Sequence, residues 1–494
     1  MIDVASAKNR ILQMAIRGDL SEHKGSFDDV ETIVCNIEHE RKDLIKRKET
    51  KECKTAPMIQ EGLFDIPDSW KWVPLGSLCV LLSRGKSPTY SEKKLYPVFA
   101  QKCNQPNSLA LEKALFLDET TLDKWPEYFR LRDSDVVINS TGTGTMGRVG
   151  YYETKTLDSK YPFMVPDSHV TVARVGNGIV SKYIYYALRS TTLQNIMEKQ
   201  FRGSTNQKEF YIDSVYAMPI PLPPTEEQRD IVDTLDAAFI LIDKIADSQE
   251  SYLCNLDVLR GKIIDAGVQG LLTDQLPTDG TASDLYDLIQ DEKSRQEKLG
   301  EIKKTKPIAE LDDNDRPFDI PDNWMWTRFG HTSYIVRGGS PRPIKQYITE
   351  SEDGINWIKI GDVEKGGKYI YSTKEKILPS GEKKSRRVYP GDFLLTNSMS
   401  FGRPYISKIE GCIHDGWLLI RNMGGFDSNY LYYLLSSTYL YNQFTQKASG
   451  STVDNLNIDK VNSAIIPLPP IAEQKRIAER IDELLSALPM QPRD

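Results

Sequence analysis

Gly142-Thr-Gly-Thr-Met-Gly147 has the G-x-G-x-x-G spacing that cradles a dinucleotide pyrophosphate when a strand precedes it and a helix follows. VVIN at 136–139 supplies the strand, but the next residues, RVGYYE, read as a second strand. The glycines therefore predict a polar β-turn. No G-x-x-x-x-G-K-[ST] loop for ATP is present. Both Pro-Pro pairs, 223–224 and 469–470, follow leucine, where a methyltransferase signature needs Asn or Asp. His23, His39, His169, His331 and His414 show neither H-x-x-x-H nor H-E-x-x-H spacing. His169 falls in the alternating run SHVTVARV, where a packed or surface imidazole is the plainer reading than a base or ligand. Cys35, Cys53, Cys79, Cys103, Cys254 and Cys412 are scattered and form no C-x-x-C, so we expect reduced thiols, a cytoplasmic setting and no zinc. No catalytic, cofactor-binding or metal-binding residue is expected.

What remains is a set of basic and polar side chains on loops, and they recur. Ser83-Arg84-Gly-Lys86-Ser-Pro matches Arg337-Gly-Gly-Ser-Pro-Arg342. Arg202-Gly-Ser-Thr205-Asn206-Gln-Lys208 matches Lys447-Ala-Ser-Gly-Ser-Thr452. Asn139 and Thr141 lead into the glycine turn, which ends on Arg148. The equivalent segment runs from Asn397 to Arg403. Arg and Lys neutralise phosphates, and Arg, Asn and Gln bond base edges in the major groove. A solvated turn is the alternative at each position; recurrence at matched loops favours DNA contact.

The net charge of −7 is unevenly spread. Residues 70–224 carry +5 and 324–470 carry +5, which leaves −17 on the remainder. Counterion release needs local positive charge, not a basic total.

Those loops sit in a sequence that repeats itself. DIPDSWKWVPLG at 65–76 returns as DIPDNWMWTRFG at 319–330, and PLPPTEEQRDIVDTLD at 221–236 as PLPPIAEQKRIAERID at 467–482. RILQMAIRGDL at 10–20 aligns with KIIDAGVQGLL at 262–272. A period near 250 residues is a duplicated two-part unit, not a solenoid. After the first PLPP, Leu235, Ala238, Ile242, Ile245, Gln249, Tyr252, Leu256, Leu259, Ile263 and Ala266 alternate steps of three and four, the stripe of a long helix. Gln249 is its polar member. The second such helix is divided between the chain ends: Ile477, Ile481, Leu484 and Leu488 carry one half, and Val4, Ala7, Ile11 and Met14 the other. We expect the 225–270 helix to pack antiparallel against both. Each stripe packing on its own globular domain is the alternative. Segments 26–52 and 283–304 predict further amphipathic helices, with linkers at 54–64 and 305–318. VVIN and FLLT (393–396) predict strands, and YIYYALRS (183–190) and YLYYLLSS (430–437) predict helices.

This combination resembles the specificity subunit of type I restriction-modification systems over nearly the whole chain. The resemblance rests on the paired PLPP…EQ-[RK]-x-I helix starts, the paired IPDxWxW entries, the Gly-Ser-Thr before each PLPP and the split helix. It implies an α+β fold: two mixed target recognition domains joined by long antiparallel coiled-coil helices in a pseudo-twofold circular arrangement. The expected parts are a helical segment at 1–64, a first recognition domain at 65–224 and a central spacer and linker at 225–318. A second recognition domain at 319–470 and the last helical piece at 471–494 complete the chain. The resemblance further implies double-stranded DNA, two methylation subunits and restriction subunits as partners, with no membrane. S-adenosylmethionine, ATP and Mg would then sit on those partners. A DNA-modifying enzyme with its own catalytic site and a structural coiled-coil adaptor are the competing readings.

Overall fold

Asp3 starts the first helix of the chain, α1 (Val4–Arg17), by accepting the amides of Ala5 and Ser6, and Gly18 ends it in the left-handed conformation. The computed structural model describes residues 1–22, 27–53, 55–60, 62–142, 144–203, 208–364, 366–397, 402–446 and 456–489. They fall into two units, 1–250 and 251–494.

In the first unit, α2 (Phe27–Lys46) follows α1. Strand β1 (Lys71–Pro74) then opens a mixed block. Its strands are β2 (Cys79–Arg84), β3 (Pro97–Phe99), β4 (Leu115–Phe116), β5 (Val136–Asn139), β6 (Val149–Tyr151), β7 (Val165–Pro166) and β8 (Val170–Val175). They form a sheet in the order β2-β8-β5-β6 and a smaller one in the order β4-β3-β7. Helices α3 (Ser181–Arg189), α4 (Thr191–Lys199) and α5 (Ile212–Tyr216) cover one face. Strand β9 (Pro219–Leu222) closes the block by pairing antiparallel with β1, Trp72 opposite Pro221. The G-x-G-x-x-G run is the β5–β6 turn. Gly142, Gly144 and Gly147 all have positive φ, as glycine allows.

Helix α6 (Thr225–Val268) leaves this block and continues into the second unit. There α7 (Ala282–Leu299) precedes β10 (Met325–Arg328), the short α8 (Phe329–Thr332) and β11 (Ser333–Arg337). Next come β12 (Ile348–Thr349), β13 (Ile355–Ile358), β14 (Tyr369–Ile370), β15 (Glu375–Ile377), β16 (Arg386–Val388), β17 (Phe393–Thr396), β18 (Pro404–Ser407), β19 (Gly411–Ile413) and β20 (Trp417–Asn422). Two mixed sheets result, β11-β20-β17-β18-β14 and β12-β15-β13-β19-β16. Helices α9 (Ser428–Ser436), α10 (Thr438–Gln446) and α11 (Ile458–Asn462) lead to β21 (Ile465–Leu468), which pairs with β10, and α12 (Ile471–Ser486) comes last. The architecture is α+β.

The repeated PLPP…EQ motif has a structural reason. Gln228, fully buried, donates to the Pro223 carbonyl and accepts the Val180 amide. Gln474 does the same with Pro469 and Asp427, and also donates to Gly425. The preceding glutamates reach back to the earlier helical segment: Glu227 accepts the Ser21 hydroxyl and Glu473 that of Thr273. Each glutamine thus fastens the start of a long helix to its own mixed block.

The inward stripe of α6 differs from the expected one at alternate positions. Leu235, Ile242 and Leu256 are buried, with Ala238, Gln249 and Ile263 partly so, as the spacing predicts. Ile245, Tyr252 and Leu259 are exposed, and their places inward are taken by Ala246, Leu253 and Arg260. Gly267 replaces Ala266: a Cβ on Gly267 would stand 2.6 Å from Ile481 Cδ1. At Ala246 and Gly267 a small residue faces inward, whereas Leu253 and Arg260 fill their inward positions with long side chains. In α1 the buried residues are Leu12, Ala15 and Ile16, packed into the core of the first block, while Ile11 and Met14 are only half-buried. The block competes for this helix and rotates its apolar face by one residue.

Candidate nucleic-acid interface

Arg84 ends β2, and Gly85 comes next because nothing larger fits: a Cβ there would lie 2.2 Å from the Asp167 carbonyl oxygen. Gly338, after β11, meets the His414 carbonyl oxygen at 2.1 Å in the same test. The Gly85 amide donates to the Val170 carbonyl and the Gly338 amide to the Trp417 carbonyl, both at 2.9 Å. Two equivalent turns are therefore pressed against the loops that enter β8 and β20. The arginines behave alike. Arg84 Nε donates to the Ser168 carbonyl, and Arg337 Nε to the Asp415 carbonyl. Ser87 bonds Ser168, and Ser340 bonds the Asp415 carboxylate at 2.8 Å.

Around this shared turn the two blocks diverge. In the first, Arg84 pairs with Glu209 at 3.0 Å, and the backbones of Arg202 and Glu209 exchange hydrogen bonds. Arg202 pairs with Asp213 at 3.3 Å and donates to Ser214. Thr141 meets His169 Nδ1 at 2.6 Å, and Thr141 pairs with Glu209 through the backbone. The structure thus brings Arg84, Thr141, Arg202 and the exposed His169 to one end of the sheet. Lys86, on the same turn, donates to the Lys124 carbonyl. Lys208 is exposed beside Glu209. Arg148 is half-buried and donates to the Gly144 and Asn104 carbonyls.

In the second block Asp415 is the hub. It takes Ser340 and, at 3.3 Å, Arg342. The Ser340 hydroxyl holds the Asp415 carboxyl below the ordinary carboxylate value, so it stays charged at neutral pH. Arg403 is exposed. Asp167 and His414, at equivalent positions, are both pushed towards neutrality by burial, the aspartate upward and the histidine downward.

Two expected contacts are set inside the fold. Asn139 is fully buried, donating to the Gln101 carbonyl and accepting from Asn104. Asn397 is 2% exposed and donates to the Asp415 carbonyl. Both hold loops in place, because an amide at the end of a core strand can satisfy backbone groups that no strand partner reaches. Asn397 is matched in the first block by Ser140, since each receives the amide of a core residue, Leu456 or Phe210. Thr205, Asn206, Lys447 and Thr452 lie outside the described residues.

Sequence reasoning missed the device that rigidifies both sheets. Arg174 on β8 bonds both oxygens of the fully buried Asp135, at 2.8 and 2.7 Å, just before β5. Arg421 on β20 does the same to Asp392 before β17, at 3.0 and 2.9 Å. Each aspartate also accepts the amide three residues earlier, from Arg132 or Tyr389. The signal was present: DVVIN and DFLLT, with ARV and IRN, carry Asp and Arg at matching places.

Each block thus presents polar and basic loops at the end of a sheet braced by a buried Arg–Asp pair. A family model, the type I restriction modification DNA specificity domain, matches residues 67–250 and 330–490. The chain is 23% identical to the type I restriction enzyme EcoEI specificity subunit of Escherichia coli, over 97% of this chain and 89% of that protein. It is also 23% identical to the EcoAI specificity subunit of Escherichia coli, over 98% and 89%. Among solved structures, the HsdS subunit from Thermoanaerobacter tengcongensis shares the fold with a TM-score of 0.50 at 19% identity, covering 86% of this chain and 92% of that one. A chain from a type I R-M system complex aligns with a TM-score of 0.53 at 18% identity, with the same coverage. The chain belongs to the type I restriction-modification DNA specificity family. It is a specificity subunit, a component that recognises the DNA target and is not itself an enzyme.

Proposed function

We propose that each mixed block reads one half of a two-part DNA sequence and that the helices set the gap between the halves. The observation that carries this reading is the doubled turn: Arg84 and Arg337 are fixed by equivalent bonds to backbone carbonyls, yet the carboxylates nearby are used differently, Glu209 on a distant loop pairing with Arg84 and Asp415 on the turn itself pairing with Arg342. A constant mount with variable contacts suits two homologous domains that read different bases. Arg84, Lys86, Thr141, Arg148, Arg202, Lys208, Arg337, Arg342 and Arg403 are the DNA-facing candidates.

Helix α6 has 44 residues and spans roughly 66 Å, ample for half-sites about one DNA turn, or roughly 34 Å, apart. Antiparallel packing of the terminal helices on α6 is supported within each unit. In the first, the Gln249 side chain takes the Ile2 amide at 2.6 Å, and Lys8 pairs with Asp243. In the second, Arg260 donates to the Pro489 carbonyl and Gly267 faces Ile477 and Ile481. Leu241 and Tyr252 lie exposed on α6, as docking of methylation subunits requires. Two such subunits, joined by restriction subunits, would bring S-adenosylmethionine, ATP and Mg to the assembly in the cytoplasm. No helix among the described residues is long and apolar enough to cross a membrane.

Two changes test the reading. Replacing 65–224 with the block of a homologue should change one half of the methylated sequence. Inserting four residues beside Gln249 should lengthen the gap and leave both halves intact. Methylome sequencing reads both; an unchanged gap after the insertion would sink the ruler.

A further inference from the structure

Phe129 is a buried ring, 4% exposed, set edge-on to Trp125 in a small apolar cluster of the first block. Two ammonium groups approach it from different parts of the chain. Lys86 Nζ lies 4.6 Å from the ring centroid and Lys51 Nζ 4.9 Å, so the two charges are within about 10 Å of each other. Both are held in place. Lys86 sits on the turn that Gly85 presses against Asp167, and it pairs with Asp167 through the backbone. Lys51 follows Thr50, a buried residue whose hydroxyl donates to the Val80 carbonyl of β2 at 2.8 Å. Upstream, Arg41 of α2 donates to the Gly76 and Cys79 carbonyls. The linker after α2 is thereby laid along β2 and ends beside the recognition turn.

The ring face attracts each ammonium, but the two like charges repel, and an anion that joins them relieves that cost. Among the described residues neither ammonium has a carboxylate within salt-bridge distance. Lys86 spends one of its three donors on the Lys124 carbonyl, and the rest remain. Burial and the neighbouring Lys86 both push the Lys51 amine below its ordinary value, the response of a cation facing another cation. The two groups that meet at the ring are both ammoniums, and a lysine acts as a point charge towards phosphate.

We propose that Lys51 and Lys86 together bind the phosphodiester backbone of DNA beside the first half-site, so that the N-terminal linker, outside the matched family region, extends the footprint of the first block. This rests on the reading that the first block docks DNA. The second block lacks the device: Gly339 stands where Lys86 does, and a Cβ there would lie 2.8 Å from the Lys384 carbonyl oxygen. The footprint is therefore asymmetric.

The test uses the full chain assembled with the methylation subunit of its own system. Binding to a target duplex and to a scrambled duplex is followed by fluorescence anisotropy across a salt series. K51Q should weaken both equally and lower the slope of log K against log salt by about 0.9, the value for one lost phosphate contact. K51R should restore the slope, and the methylated sequence should not change. An unchanged slope in K51Q overturns the proposal, as does a changed target sequence, which would make Lys51 a base reader. Titrating wild-type protein with inorganic phosphate alone separates the remaining source: tight binding there, with DNA binding unaffected by K51Q, would assign a free-phosphate site. Replacing 65–224 is the control. If that swap leaves recognition untouched, the reading of the first block fails; if the swap acts and K51Q does not, only this proposal fails.

Discussion

At the turn that enters β8 the first unit buries Asp167, and at the turn that enters β20 the second half-buries His414. One is an acid and the other a base, on the same backbone. The turn survives because main-chain bonds hold it: Gly85 to Val170 in one unit and Gly338 to Trp417 in the other. Side chains there are free to vary once backbone groups are satisfied by backbone groups. The comparison extends outward. In the first unit Arg84 pairs with Glu209, on a separate loop; in the second the carboxylate is Asp415, on the turn that enters β20, and it pairs with Arg342.

The largest expected effect breaks the comparison at the buried Arg–Asp pairs. Arg174 bonds Asp135 twice and also donates to the Tyr128 and Arg130 carbonyls, whereas Arg421 bonds only Asp392 among the described residues. R174M should cost about 3–5 kcal/mol, the loss for orphaning a buried charge, and R421M less. Urea unfolding measures both; equal losses would mean that the extra carbonyl bonds contribute nothing. Next in size are the glutamine fasteners. Q474A should cost more than Q228A, within about 1–3 kcal/mol each, because Gln474 serves one more carbonyl. A reversed order in the same assay would refute that reasoning.

Acid sharpens the contrast at the turn. His414 is faced by Asp415, Lys359 and Asp362, and burial dominates, lowering its value from 6.5. The unfolded chain then binds the proton more readily, so the second unit should lose stability as pH falls below about 6.5. Asp167 has its value raised from 3.8, so the first unit should gain stability as pH falls towards 3.8. H414Q should flatten the first trend and D167N the second, in thermal melts across pH. A wild-type slope in either variant would exclude that residue as the source.

The smallest effect concerns DNA. D415N should release Arg342, which is 81% exposed, and raise affinity about two- to five-fold at low salt. Unchanged affinity in the binding assay would mean that Arg342 points away from the duplex.

How much of this is legible in the sequence depends on whether backbone or side chain decides the place. The duplication, β5 and β17, α3 and α9 and the long α6 come from periodicity and repeats, because apolar pattern and hydrogen-bond geometry are local. The run RVGYYE after the glycines correctly marks them as a turn, since β6 begins within it. The register of α6 is half legible: Leu235, Ile242 and Leu256 are buried as the stripe predicts, while Ile245, Tyr252 and Leu259 are exposed. Residue type marks Asn139 and Asn397 as base readers, yet both serve carbonyls inside the loops. Depth of burial is a tertiary property, which spacing does not carry. Glu209 and Lys51 escape a sequence reading for a related reason. Their significance lies in neighbours 125 and 35 residues away in sequence, Arg84 and Lys86.

The pairing of β1 with β9, and of β10 with β21, has a consequence for descent. Lys71 lies opposite Leu222 and Met325 opposite Leu468, so each mixed block begins and ends on one two-stranded neck. A segment whose two ends are already neighbours can be exchanged, lengthened or shortened without moving what lies outside it. Recombination within the neck sequences, DIPDxWxW at the entry and PLPP at the exit, would graft a foreign block onto an undisturbed scaffold. If each block reads its own half-site, as proposed, such an exchange would carry a whole target preference with it.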